Sequence, residues 1–155
     1  TDADGQLALT FWLRGVRGEE WAGAHSIPYR LGLEDGRLVA TPHPDVAAHR
    51  SEPGEDGLVQ GRAADIEWPA SQGLLTLASG GETVVRINRD GDEAVVTTGS
   101  DSCHVPVDGA IRLIADGPIL ELSSPAGVFA AAIEPRGSDL QVSASCGSLE
   151  VHGLL

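Results

Sequence analysis

Two carboxylates five residues apart, Asp116 and Glu121 in "LIADGPILEL", are the first residues whose type and spacing could do chemistry. A glycosidase works with an acid/base pair held about 5–9.5 Å apart. Whether this pair can do so depends on the hairpin that carries it. A two-residue turn at Asp116-Gly117 opposes Ala115 to Pro118, Ile114 to Ile119, Leu113 to Leu120 and Arg112 to Glu121. Glu121 then lies four residues down the strand from the turn, roughly 13 Å from Asp116 at 3.3 Å per residue. That is too far for shared catalysis. It makes Arg112 and Glu121 a cross-strand ion pair and Asp116 a turn residue, so all three are expected to be structural.

Other reactive side chains give no stronger pattern. The histidines His25, His43, His49, His104 and His152 form no i, i+4 helical pair and no Cys/His zinc spacing, so no metal is expected. The two cysteines, Cys103 and Cys146, are too few for a disulfide framework and read as small buried apolar residues in strands. There is no Gly-x-Ser-x-Gly elbow, phosphate-binding loop or dinucleotide fingerprint, and no cofactor is expected. Trp68, in "IEWPAS", is the remaining candidate: a ring exposed beside a proline could stack on a sugar. The alternative reading places it at the rim of a β-sandwich. A net charge of −13 opposes binding to phosphate backbones, so nucleic acid is not an expected partner. No apolar run reaches the roughly 18 residues a membrane-spanning helix needs.

The elements that would position these residues are strands. Asp-Gly, which favours the positive φ of hairpin turns, begins at Asp4, Asp35, Asp56, Asp90, Asp108 and Asp116. Between these turns run short Val/Ile/Leu/Thr segments such as "LLTLAS", "TVVRIN", "EAVVTT" and "LQVSAS". The spacing predicts an all-β fold, an antiparallel two-sheet β-sandwich. In the hairpin at Asp116, Ile111, Leu113, Ala115, Leu120 and Leu122 share one face. The same turn placement pairs Arg89 with Asp92, Val85 with Val96, and Glu34 with Arg37. "HPDVAAHR" predicts a short helix over Pro44–Arg50, and the breaker cluster Ser51–Gly57 a boundary. The expected organisation is an N-terminal unit over 1–43, a linker over 44–57 and the sandwich over 58–155. The chain contains no Met and starts "TDADGQ", which predicts a piece cut from a longer protein.

The stretch "WAGAHSIPYRLGLEDGRLVATP" resembles the end of the catalytic domain of glycoside hydrolase family 32, the β-fructosidases. That family closes its β-propeller with a Trp-Ala-Gly segment, an apolar-Pro-Arg step and an LxDGRL hairpin. Trp21, Ala22, Gly23, Pro28, Asp35, Gly36, Arg37 and Leu38 match; Tyr29 stands where the family has Arg, with Arg30 one place later. "LIADGPILEL" is similar to the Val-Asp-x-Ser-x-x-Glu-Val-Phe signature of the family's C-terminal sandwich, with Asp116 and Glu121 in step and Gly117 and Ser123 departing. "PAGVFAAAIEP" resembles the segment that follows.

The resemblance implies a remnant of the last propeller blade, a linker helix and the C-terminal sandwich. It implies a parent that hydrolyses terminal β-fructofuranosyl bonds of sucrose or fructans. The family's carboxylate motifs, Trp-x-Asn-Asp-Pro-Asn-Gly, Arg-Asp-Pro and Glu-Cys, do not occur in this chain, so no catalytic residue carries over. The expected partner is the parent's own propeller, with a homo-oligomer and the cytoplasm as further expectations. A free carbohydrate-binding module using Trp68 and a freestanding adhesion-type sandwich are the rival readings. The N-terminal remnant is expected to pack back on the sandwich or on a second molecule, because open strand edges and apolar side chains seldom stay uncovered.

Overall fold

A computed structural model describes residues 1–17 and 22–155; Trp21, one of the matched residues, lies outside the described residues. The N-terminal unit comprises β1 (Ala8–Leu9), β2 (Trp12–Arg17), β3 (Ala22–His25), β4 (Tyr29–Glu34) and β5 (Arg37–Pro42), and helix α1 (Pro44–Ala47) follows. The remainder is β6 (Arg50–Pro53), β7 (Leu58–Gln60), β8 (Ala63–Trp68), β9 (Gln72–Ser79), β10 (Glu82–Asp90), β11 (Glu93–Thr98), β12 (Asp101–Pro106), β13 (Ile111–Asp116), β14 (Ile119–Ser124), β15 (Gly127–Ala132), β16 (Asp139–Ala144) and β17 (Glu150–Leu154).

These later strands form two antiparallel six-stranded sheets. One has the order β12-β11-β10-β9-β16-β7, the other β15-β14-β13-β8-β17-β6. The chain is therefore all-β and its main body is a β-sandwich, as the strand spacing predicts. Alternation explains the core. Ala64, Ile66 and Trp68 of β8, Ile111, Leu113 and Ala115 of β13, and Leu120 and Leu122 of β14 face Leu75, Leu77, Val85, Ile87, Val96, Leu140 and Val142 from the opposite sheet. Burial of such side chains stabilises by about 1.5–3 kcal/mol each.

The turn at Asp35-Gly36 forms as read. Asp35 and Gly36 both have positive φ, 49° and 76°, and Glu34 pairs with Arg37. Two other hairpins differ from expectation by one position. The last pairs are Asp116 with Ile119 and Asp90 with Glu93, so the loops are Gly117-Pro118 and Gly91-Asp92. Val85 thus meets Thr98 and Arg89 meets Ala94. The reason is clearest at Pro118. In the expected register its nitrogen would have to donate the bond that closes the turn, and proline has no N–H. Moving the loop places glycine first, at φ 53° for Gly117 and 64° for Gly91, in the pattern of a turn needing positive φ only there. Both strands slip by one residue, so every side chain keeps its face and the predicted apolar set survives intact.

The linker also needs correction. The helix ends at Ala47, with His43 accepting from the Asp45 amide at its start. Arg50 to Pro53, expected as linker, form an edge strand of the sandwich paired to β17. The guanidinium of Arg50 is drawn onto the sheet by Asp65 and Glu67 of β8. The sandwich thus includes residues ahead of position 58.

Arg89 is a second feature without a local signal. It is buried with no carboxylate partner among the described residues, and its guanidinium donates to the carbonyls of Ala70, Gly91 and Gly109 at 2.7–3.0 Å. One cation thereby ties three loops at one end of the sandwich. Lysine keeps the charge but lacks the fork. Arg89→Lys is expected to lower the unfolding free energy by about 1–2 kcal/mol in urea titration; an unchanged midpoint would show the loops to be held by packing alone.

Candidate functional site at the junction of the two units

Strand β14 is buried along all six residues. Its inner face meets the sandwich core, and its outer face is covered by the N-terminal unit, where β5 packs on β14 and β2 on β15. The N-terminal unit therefore packs back on the sandwich, one of the two outcomes expected for it. Such double burial usually calls for an apolar strand. Here the outer face carries Glu121, only 2% exposed.

Glu121 is not paired with Arg112. Its strand partner is Ile114, and its two oxygens accept from the Ile27 amide and the Tyr29 hydroxyl, each at 2.8 Å. Arg112 instead donates to Asp65 through Nε at 2.9 Å and Nη2 at 2.6 Å. The expected ion pair is thus corrected. The slipped loop puts Arg112 opposite Ser123 on one side and Glu67 of β8 on the other, and its guanidinium reaches past Glu67 to Asp65, two residues along β8. Burial pushes the Glu121 carboxyl above its ordinary value, with help from the charge of Asp116, and the two hydrogen bonds only partly oppose this. Burial and the neighbouring Glu121 raise Tyr29 far above the usual phenol range, so Tyr29 is a donor.

The same slip shortens the expected distance between Asp116 and Glu121. Their rungs are now two residues apart along the hairpin, about 6.6 Å at the usual rise, where roughly 13 Å was expected. The pair still lacks the arrangement of an acid and a base. Asp116 is exposed at the hairpin end, whereas both oxygens of Glu121 are taken and covered.

Asp65 is the centre of a second cluster on the uncovered part of the same outer face. It is fully buried and receives Arg112 twice and Arg50 Nε at 2.7 Å, while Arg50 also reaches Glu67. Burial pushes its carboxyl up, but the bonds from Arg112 and Arg50 outweigh this and hold it below the ordinary carboxylate value. Beside it His152 bonds Glu150 and the Ser51 carbonyl. All its cations are matched by carboxylates, so the cluster is a structural network rather than an anion site. Among the described residues, no group of three or more His, Cys, Asp or Glu could hold a metal ion, and no helix is long and apolar enough to cross a membrane.

Trp68 does not offer a stacking platform. It is 0% exposed, and its indole N–H donates to the Cys146 carbonyl at 2.9 Å. Among the described residues the exposed indole is Trp12, 56% accessible, which meets His25 edge-on at 5.0 Å. Gly23, at φ 81°, lies under it: a Cβ there would come within 2.4 Å of the ring. The glycine of the Trp-Ala-Gly match is the residue that leaves room for this ring. Trp12 and its strand as far as Val16 line an open groove of about 420 Å³, with Ala130, Ala131 and Ala132 of β15 as the other wall. The free cysteines Cys103 and Cys146 are exposed, against the buried reading.

The chain shares its fold with solved glycoside hydrolases of family 32. It matches the GH32 β-fructofuranosidase of Bombyx mori with a TM-score of 0.77 at 21% identity, over 99% of this chain and 39% of that one. It matches the sucrose-6-phosphate hydrolase of Lactobacillus gasseri with a TM-score of 0.75 at 16% identity, again over 99% and 39%. A family 32 glycoside hydrolase of Bifidobacterium adolescentis gives 0.69 at 14% identity, over 97% and 30%. The chain thus spans about two-fifths of the length of the first enzymes it matches. No protein-family model and no curated protein matches it.

Proposed function

We propose that the chain is part of a family 32 glycoside hydrolase, comprising the last strands of its propeller and its C-terminal sandwich. The parent hydrolyses terminal β-fructofuranosyl bonds of sucrose or fructans with retention, using two carboxylates that lie outside this chain. The observation that carries the reading is a fold match over 99% of the chain that includes both units and their junction. The motifs around Trp21 to Leu38 and Asp116 to Glu121 support it by occurring in family order. In this reading the sandwich is non-catalytic: it supports the propeller, its partner within the same protein, and contributes to a homo-oligomer in the cytoplasm. The rival binding module loses its basis with the burial of Trp68.

The test is hydrolysis by two preparations. The longer protein that carries this chain is expected to release fructose from sucrose or inulin with retained anomeric configuration. The chain alone is expected to release none above a mock preparation. Activity in the chain alone, or none in the longer protein on any fructoside, overturns the proposal.

A further inference from the structure

We propose that Glu121 is a proton-sensitive positioning residue, a tether from the sandwich that seats the segment from Ala22 to Tyr29 and, through it, orients Trp12. Its two hydrogen bonds, to the Ile27 amide and the Tyr29 hydroxyl, link residues 94 and 92 positions away in the chain. Ser26, adjacent to Ile27, is bonded twice to Phe11: its amide donates to the Phe11 carbonyl at 2.9 Å, and its hydroxyl accepts from the Phe11 amide at 2.8 Å. Phe11 in turn packs on Tyr29 with ring centroids 5.6 Å apart, and the next residue is Trp12. An unbroken set of contacts therefore runs from one buried carboxylate to the exposed indole at the groove.

The tether responds to protons because, among the described residues, no cation answers its charge. The charged and titratable groups on the elements packed against it are Arg112 and Asp116 on β13, Tyr29, Arg30 and Glu34 on β4, and Arg37 on β5; β15 has none. Arg112 is committed to Asp65, and Arg30 to Asp2 and Asp4. Glu34 and Arg37 flank the exposed turn. Asp116 adds a like charge. The protonated carboxyl can still accept from the Ile27 amide through one oxygen while its O–H donates to the Tyr29 oxygen, and it carries no buried charge. Since burial raises the folded-state pKa of Glu121 above its unfolded value, the stabilisation is complete below the unfolded value and is lost as pH rises through the folded one. The inference stands whether or not the parent is a fructosidase, since its readouts involve no sugar.

The experiment compares the chain with its Glu121→Gln variant, which keeps the shape and cannot ionise. The Ile27 amide and the Glu121 side-chain carboxyl are followed by NMR across acid to neutral pH, alongside melting temperature. Both resonances are expected to share one midpoint above that of an ordinary glutamate, and the Ile27 titration is expected to vanish in Glu121→Gln. The melting temperature of the wild type relative to the variant is expected to fall with rising pH, by roughly 3–6 °C per pH unit of separation between folded and unfolded midpoints. In Glu121→Ala, amides of Phe11 and Ser26 are expected to lose hydrogen-exchange protection while Leu113 and Leu122 keep theirs. A Glu121 midpoint in the ordinary range, a pH-independent difference between wild type and Glu121→Gln, or unchanged protection at Phe11 and Ser26 in a folded Glu121→Ala overturns the proposal. If Glu121→Ala fails to fold, the Glu121→Gln comparison decides it.

Discussion

Asp65→Ala is expected to lower the unfolding free energy by about 3 kcal/mol at neutral pH, the lower end of what breaking a buried ion pair costs. Asp65 is fully buried, and each of its oxygens accepts a guanidinium hydrogen bond. Without it Arg112 has no carboxylate partner and Arg50 retains only Glu67, itself partly exposed. The two arginines are about one-fifth exposed, so water relieves part of the loss, which places the effect at the lower end. The sign of the pH dependence is opposite to that of Glu121. Asp65 is held below its ordinary pKa, so its contribution is present above the unfolded carboxylate value and is lost as pH falls through the folded one. Urea titrations of the wild type and of Asp65→Asn should therefore differ more at neutral pH than at about pH 3. A loss below about 1 kcal/mol for Asp65→Ala at neutral pH would place the cluster with ordinary surface ion pairs.

The contrast between these two carboxylates shows what a sequence can and cannot reveal about such a site. The sandwich was legible because alternation is local: Ile111, Leu113, Ala115, Leu120 and Leu122 share a face in either hairpin register. Partners were not legible from the Asp-Gly signal alone, because the loop could start at Asp116 or at Gly117. Pro118 was the cue that decides it, as a residue unable to donate the closing bond. Trp68 could have been placed by the same alternation, since Ala64, Ile66 and Trp68 fall on one side of β8 and Asp65 and Glu67 on the other. The Trp-Pro step drew the reading toward an exposed rim instead. Glu121 and Arg89 had no local signal. Their partners are the Ile27 amide, the Tyr29 hydroxyl and the carbonyls of Ala70, Gly91 and Gly109, most of them far off in the chain and most of them backbone, which no residue-type pattern marks. The family resemblance kept Glu121 in view by position. Its role as a link between units emerged only with the fold, and a stability loss of about 2 kcal/mol is now expected for Glu121→Ala, where a surface pair would contribute under 1.

Trp68→Ala is expected to be the most damaging single change of those considered, at about 3–5 kcal/mol. The ring sits at the end of β8 opposite Ile111 of β13 and inside the core between the sheets, so its removal leaves a cavity that a packed sandwich cannot close. A second loss accompanies the first. The indole N–H holds the carbonyl of Cys146, in the loop between β16 and β17, and Gly147 next to it passes so close that a Cβ there would lie 2.8 Å from that of Ala70. The indole therefore fixes the path of that loop as well as filling space. Trp68→Phe separates the two effects. It keeps an aromatic ring in the core and deletes the donor, and is expected to cost about 1–2 kcal/mol, with the remainder of the alanine effect assigned to packing. Urea unfolding followed by circular dichroism gives both values without relying on tryptophan emission. If Trp68→Ala unfolds within about 1 kcal/mol of the wild type while calorimetry shows it has lost affinity for inulin, the residue is a surface platform and its assignment to the core is wrong. A large loss in Trp68→Ala with a small one in Trp68→Phe identifies it as a core residue whose donor is secondary. Equal losses would make the Cys146 loop, rather than the cavity, the main thing Trp68 holds in place.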